Sequence, residues 1–253
     1  MEAILSLDHI YYSYHDKNGE TPVINDLSFE IEPGSFTSIV GPSGCGKSTL
    51  LSLLCDLIKP EAGTIYINPP EGNKDSRMGY MLQKDNLFEW RSIYKNVMLG
   101  LEINNKKTPE NIAYVNHLLK QYDLAEFKSA RPSQLSGGMR QRVALIRTLA
   151  LKPDILMLDE PFSALDYVSR LSVSDDVLNI IKLEKKSVIM ITHDLAEAIS
   201  VADRVIVLSK RPAKIKSVYE INLTNKSTPT KNRKAKEFGY YYDLLWKDLD
   251  KNV

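Results

Sequence analysis

Apolar and polar residues alternate in two stretches near the N-terminus, AILSLDHIYYSY and LSFEIEPGSFTSIVG, where Leu27, Phe29 and Ile31 fall on one side of an extended chain. Asn18-Gly19 lies between them as a hairpin turn signal, so the pattern predicts an antiparallel sheet. The pattern then changes: GPSGCGKSTLLSLLCDLI is a glycine loop running into helical spacing at Leu50, Leu51, Leu54 and Ile58. Two later runs, DILMLDEP and SVIMITHD, are short, wholly apolar and end in polar groups, as buried parallel strands with chemistry at their ends do. Residues 84–150 are mostly helical in pattern and predict an inserted helical lobe. Its clearest segment is TPENIAYVNHLLKQYDL, with Thr108 as N-cap and Pro109 at the first helical position. Near the C-terminus TNKSTPTKNRKAK reads as a solvated linker. It precedes an amphipathic helix whose Phe238, Tyr241, Tyr242, Leu245 and Leu249 share a face. The expected class is α/β, with a main domain over residues 1–210 and a strand, linker and helix over 211–253.

Composition narrows the setting. The 253 residues are 43% hydrophobic and 26% charged, enough for a sizeable core. The formal charge is +1, so no overall field attracts nucleic acid or anionic lipid, and no nucleic-acid partner is expected. Cys45 and Cys55 are too few for a disulfide framework, and the chain opens without a signal-peptide pattern. A reducing cytosol is the expected compartment. The apolar runs are far shorter than the roughly 20 residues that cross a bilayer, so work at a membrane would need another anchor.

The strongest motif is GPSGCGKS, Gly41 to Ser48, which fits GxxxxGK[ST] between a strand-like FTSIV and an apolar helix. Gly41, Pro42, Ser43, Gly44, Cys45 and Gly46 would form a loop whose backbone N–H groups wrap phosphates. Lys47 adds a point charge toward the β and γ oxygens, Ser48 can ligate magnesium, and Thr49 brings a hydroxyl near the α-phosphate. Cys45 has no task in this scheme beyond a small spacer, the alternative being a thiol activated at a helix N-terminus. The strand ILMLDE delivers two adjacent carboxylates to its end. Asp159 would hold magnesium, and Glu160 would polarise the attacking water as a general base.

Residues 134–141, QLSGGMRQ, place two poor helix formers directly before a helix-favouring run. Serine and glycine amides at a helix N-terminus suit close approach to an anion, and Met139, Val143, Ile146 and Ala150 follow helical spacing behind them. Together with GPSGCGKS, ILMLDEP, SALD and ITHD in that order, LSGGMRQ resembles the nucleotide-binding subunit of ATP-binding cassette (ABC) transporters, over about residues 1–210.

The resemblance implies a P-loop NTPase core with an antiparallel β subdomain and an inserted helical subdomain. It also implies ATP and Mg²⁺ as ligands and a homodimer closed head to tail on ATP. In that arrangement the signature residues Leu135, Ser136, Gly137, Gly138, Met139 and Gln141 of one copy face the nucleotide of the other. Ser163, Ala164, Leu165 and Asp166 would form the loop that communicates across the dimer, although Asp166 could equally cap a local turn. Tyr14 matches the aromatic that stacks on adenine, with Tyr11 and Tyr12 as substitutes. Gln83 matches the glutamine that senses magnesium and the attacking water, and His193 the histidine that contacts the γ-phosphate.

DNLFEWRSIYKNV, just after Gln83, places Phe88, Trp90 and Arg91 where the family receives a helix from a membrane permease; aromatics there serve equally as core. The WRS and ADRVIVLSKRPAKI stretches resemble the nitrate, sulfonate, taurine and pyrimidine-precursor import subfamily. The implied function is ATP hydrolysis driving solute import, at the cytoplasmic face of a membrane. Its partners would be two permease subunits and, indirectly, an extracytoplasmic solute-binding protein. The alternative is a soluble ABC ATPase not coupled to transport. For the C-terminal helix, packing on the core is expected, with permease docking or a membrane surface as alternatives.

Overall fold

The computed structural model describes residues 2–17, 19–68 and 78–250. Strands β1 (Leu5–Asp16) and β2 (Gly19–Ile31) pair antiparallel, Asp16 against Gly19 at the closed end; Asn18 of the expected turn lies outside the described residues. After β3 (Phe36–Val40) and α1 (Lys47–Leu54), β4 (Ala62–Ile67) returns to β1, giving a three-stranded sheet in the order β2-β1-β4. Helix α1 stops at Leu54, so Ile58 lies beyond it and packs from outside.

The second sheet positions the site. It adds β5 (Met78–Met81), β6 (Ile155–Asp159), β7 (Ser187–Ile191), β8 (Arg204–Leu208) and β9 (Ile215–Glu220) in the order β5-β6-β7-β3-β8-β9. All neighbours are parallel except β8 and β9. The inner strands β3, β6, β7 and β8 are buried along nearly their whole length because both faces are covered. Along β6, Ile155 and Met157 face α1 and the antiparallel sheet, while Leu156 and Leu158 face the helices. Since β9 continues this sheet, the segment after residue 210 extends the main fold.

Between β5 and β6 the chain is helical: α2 (Ile93–Val97), α3 (Leu99–Ile103), α4 (Pro109–Gln121) and α5 (Gly137–Leu149). Thr108 caps α4, accepting from the Asn111 amide, with Pro109 at N1. Helices α6 (Tyr167–Leu183) and α7 (Leu195–Val201) flank β7.

The linker expectation is corrected. Residues 224–236 carry a short helix, α8 (Pro229–Asn232), capped by Thr228. Asn232 is buried: its amide donates to Ser200 O at 2.7 Å, and its Oδ1 accepts from the Ser227 amide at 2.7 Å. Lys226 Nζ donates to Ala202 O at 2.7 Å and pairs with Asp203 at 2.6 Å. A composition typical of solvated chain is ordered here because its polar groups satisfy specific carbonyls and carboxylates. The final helix, α9 (Phe238–Asp250), buries Leu245 completely and packs Phe238, Tyr241, Tyr242 and Leu249 against the core. Tyr219 donates to Asp248 at 2.7 Å and fixes the far end.

Candidate functional site

A parallel sheet gathers the carboxyl ends of β5, β6, β7 and β3 along one edge. Gln83 lies two residues past β5, Glu160 one past β6, His193 two past β7, and the glycine loop follows β3. Because these four strands are adjacent, residues up to 152 positions apart in the chain meet there.

The glycine loop feeds α1. Gly44 and Gly46 sit at φ 72° and 121°, a region costly for side-chain-bearing residues. A Cβ on Gly46 would also meet Val23 Cγ1 at 2.9 Å. Lys47 Nζ folds back to donate to Gly41 O at 2.7 Å and Pro42 O at 3.0 Å, so its charge is held over the loop. Cys45 is buried, and burial raises its thiol pKa, which fits a spacer and not a nucleophile. Tyr14, Ser43, Gly44, Gly46, Lys47, Ser48 and Thr49 line a cleft of about 270 Å³ with Val23, Glu160 and Arg211. Tyr14 is half exposed, its hydroxyl 3.3 Å from Thr49 Oγ1. Of its two substitutes, Tyr12 packs edge-on behind Tyr14 and Tyr11 turns toward Asp26; neither lines the cleft.

The two acids are held differently. Asp159 ends β6 and accepts from the Tyr80 hydroxyl at 3.1 Å; burial, reinforced by the Glu160 charge, raises its pKa against the opposing effects of Tyr80 and Lys47. Glu160 adopts φ 43°, a left-handed conformation unusual for a non-glycine residue. Its amide donates to Ile191 O at 2.8 Å, which over-determines the turn. Its carboxylate is clamped: Gln83 Nε2 donates to Oε2 at 2.9 Å, and His193 Nδ1 lies 2.9 Å from Oε1. Ser163 Oγ donates to Glu160 O at 3.0 Å, and Gln83 reaches Ser163 Oγ at 3.2 Å. Glu160, Gln83, His193 and Ser163 therefore form one hydrogen-bonded group at the sheet edge.

A second surface carries the glycine pair. Ser136 caps α5, accepting from the Met139 amide. Ser136, Gly137, Gly138 and Met139 line a depression of about 360 Å³ with Ala164, Leu165 and Asp166. Asp166 caps α6, accepting from the Val168 and Ser169 amides at 3.1 and 3.0 Å, so the capping alternative is realised on the same surface. Two of the predicted signature residues are turned inward in the single copy. Leu135 and Gln141 are buried, because Gln141 shares the α5 face of Ala144, Leu145 and Thr148 and points into the chain. No described residue lines both this depression and the phosphate-loop cleft.

The helical stretch is tied to the sheet edge through Asp85. Arg140 Nε donates to Asp85 Oδ2 at 2.8 Å, and Arg147, two turns along α5, donates to the Asp85 and Asn86 carbonyls at 2.7 and 2.8 Å. Single charges on a helix gave no sequence signal for this, although their seven-residue spacing does place both on one face. Phe88 and Trp90 pack with ring centroids 4.8 Å apart at a 45° tilt, with Trp90 exposed. Arg91 is instead withdrawn into a salt bridge with Glu102.

For a metal, Ser48, Gln83 and Asp159 present hydroxyl, amide and carboxylate oxygens, a hard-ligand set suited to magnesium. Among the described residues no group of three His, Cys, Asp or Glu side chains forms a cage. No described helix is long and apolar enough to cross a membrane.

The ABC transporter family model matches residues 24–163. An uncharacterized ABC transporter ATP-binding protein of Bacillus subtilis, YtlC, is 40% identical over 98% of this chain and 96% of its own length. The taurine import ATP-binding protein TauB of Jannaschia sp. is 37% identical over 87% of this chain and 82% of its own. Among solved structures, the dimeric post-hydrolysis state of the ATP-binding cassette MJ0796, bound to ADP and Pi, superposes with a TM-score of 0.70 at 28% identity, covering 86% of this chain and 99% of that one. The chain belongs to the ABC transporter family and is an ATPase cassette with relatives among the taurine and sulfonate import proteins.

Proposed function

We propose that this chain powers an importer by closing head to tail on two MgATP, with Ser136, Gly137 and Gly138 of each copy completing the γ-phosphate site of the other. The observation that carries this reading is the separation of the phosphate-loop cleft from the serine–glycine depression. One copy holds both halves of a site on different surfaces. MJ0796, similar in fold, is described as dimeric with ADP and Pi bound.

In this reading Lys47 exchanges its loop carbonyls for the β and γ oxygens. Glu160, held between Gln83 and His193, accepts the proton of the attacking water as the water oxygen bonds in line to the γ-phosphorus, while the opposite bond to the β–γ bridging oxygen breaks and ADP leaves with that electron pair. His193 donates to the γ-phosphate. Ser48, Gln83 and Asp159 would hold magnesium, which when bound would supply charge neutralisation on the phosphates. Positioning and charge, with no covalent enzyme intermediate, carry the reaction.

Closure would drive two permease subunits, met through the Phe88–Trp90 pair, at the cytoplasmic face of the membrane. An extracytoplasmic binding protein would deliver the solute, of the nitrate, sulfonate, taurine or pyrimidine-precursor class, in keeping with the import proteins among the relatives.

The test is Glu160→Gln with MgATP in analytical ultracentrifugation and in steady-state hydrolysis. A long-lived dimer and a turnover loss on the order of 10² or more are expected. A strictly monomeric variant, alone and beside its permease, would overturn the reading.

A further inference from the structure

We propose that Arg211, carried on the turn between β8 and β9, is a second cation on the nucleotide's phosphate chain. The proposal rests on the ATP-binding reading above and adds a binding residue outside the nucleotide-binding motifs.

Residues 209–214 form a braced turn. The Ser209 amide donates to Lys214 O at 2.9 Å, the Lys214 amide to Ser209 Oγ at 3.0 Å, and Ser209 Oγ to Lys210 O at 2.8 Å. The turn is also pinned sideways to β2: the Ala213 amide donates to Val23 O at 2.7 Å, and the Asn25 amide to Ala213 O at 3.0 Å. Val23 and Ala213 are the two side chains closest to Gly46, at 2.9 and 3.9 Å from the position of an added Cβ. The turn that bears Arg211 is thus registered against the last glycine before Lys47 at the N-terminus of α1. A residue registered there is placed by the same contacts that shape the phosphate loop.

Arg211 lines the cleft with Tyr14, Lys47, Ser48 and Thr49. Its side chain is exposed and makes no hydrogen bond or ion pair with any described residue. Arg91, Arg140, Arg147 and Arg170, by contrast, are each engaged by carboxylates or carbonyls of the chain. Lys47 is the other cation lining this cleft, and a triphosphate carries about four negative charges to be met there. A guanidinium offers a planar fork of donors matched to phosphate oxygens and stays charged at any working pH. Its fixed anchor near Gly46 directs it to the α and β phosphates, the part of the nucleotide that lies over the start of α1.

The experiment compares Arg211→Ala, Arg211→Lys and Lys47→Ala with the wild-type chain in calorimetric titrations with MgADP and MgATP, at low and high salt. Arg211→Ala is expected to raise Kd about five- to tenfold for both nucleotides and to flatten the salt dependence; Arg211→Lys should recover most of the affinity. Lys47→Ala reports on the ATP-binding reading itself. If wild type binds and Lys47→Ala does not, while Arg211→Ala stays within twofold of wild type, this proposal alone falls. If Arg211→Lys is as weak as Arg211→Ala with an unaltered salt slope, the contact is not to phosphate and the proposal falls. A wild-type chain that binds neither nucleotide overturns both readings. Thermal melts of the two Arg211 variants, expected to match wild type because the side chain is exposed, separate a binding effect from misfolding.

Discussion

Gly138 and Val173 touch where α5 leaves the signature loop and crosses α6: a methyl in place of the glycine hydrogen would lie 2.6 Å from Val173 Cγ2. Valine is stiff at χ1 and cannot swing aside cheaply. The glycine therefore has a packing role inside one chain, besides any approach to a ligand. Gly138→Ala should destabilise by about 1–3 kcal/mol, and adding Val173→Ala should restore most of that in thermal melts. If the glycine also serves the nucleotide of a second copy, the double variant will recover its melting temperature without recovering ATP-driven dimerisation. Full recovery of both would leave packing as its sole role.

Gln83 and His193 hold opposite oxygens of the Glu160 carboxylate. Gln83→Ala should free the carboxylate to rotate and lower kcat by about 10–10²-fold. Affinity for nucleotide without magnesium should change far less, since Gln83 does not line the phosphate-loop cleft. A titration and a turnover measurement on the same sample would check this, and a purely affinity-based defect would contradict the clamp.

Glu197 supplies a pH signature. It is buried in α7 behind His193, and burial pushes its pKa up to about 7, helped by the Asp194 charge and opposed by the Thr192 hydroxyl bond, Arg170 and Arg233. Its folded-state pKa is raised, so the unfolded chain releases this proton first. The contribution is full below about pH 4.5 and is lost as pH rises toward 7, amounting to about 3 kcal/mol at most. Glu197→Gln should remove that slope. Denaturant midpoints of the two proteins should therefore converge in acid and separate by pH 7, with the glutamine variant the more stable.

The C-terminal helix is structural. Leu245→Ala should cost about 2–5 kcal/mol, as truncation of a fully buried leucine does. Trp246, more than half exposed and stacked on Tyr242, should lose far less on truncation to alanine, about 1 kcal/mol or below. Equal losses at both positions in chemical denaturation would refute the orientation of α9.

Much of this arrangement was legible in the chain because periodicity and capping act locally. The apolar run before Asp159, the Thr108-Pro109 start of α4 and the serine cap before Gly137 each carry their own signal. What escaped depends on partners far away in sequence. Asn232 looks like linker until Ser200 O is beside it, and Arg91 looks like a surface anchor until Glu102 claims it. Gln141 sits inside a motif but on the inward side of its helix. The left-handed turn at Glu160 had no glycine or asparagine to announce it; it is imposed by the bond from its amide to Ile191 and by the packing of β6 against β7.

The two arginines that join α5 to Asp85 and Asn86 give the molecule a gear. The helix that starts at Ser136 is bolted, through Arg140 and Arg147, to a segment only two residues from Gln83. A tilt of that helix imposed from outside is therefore expected to reach the strand end and change the hold of Gln83 on Glu160. Swapping Asp85 for alanine would remove the Arg140 half of that gear and leave Arg147 on its backbone carbonyls, so the coupling between helix and strand end should slacken without being lost.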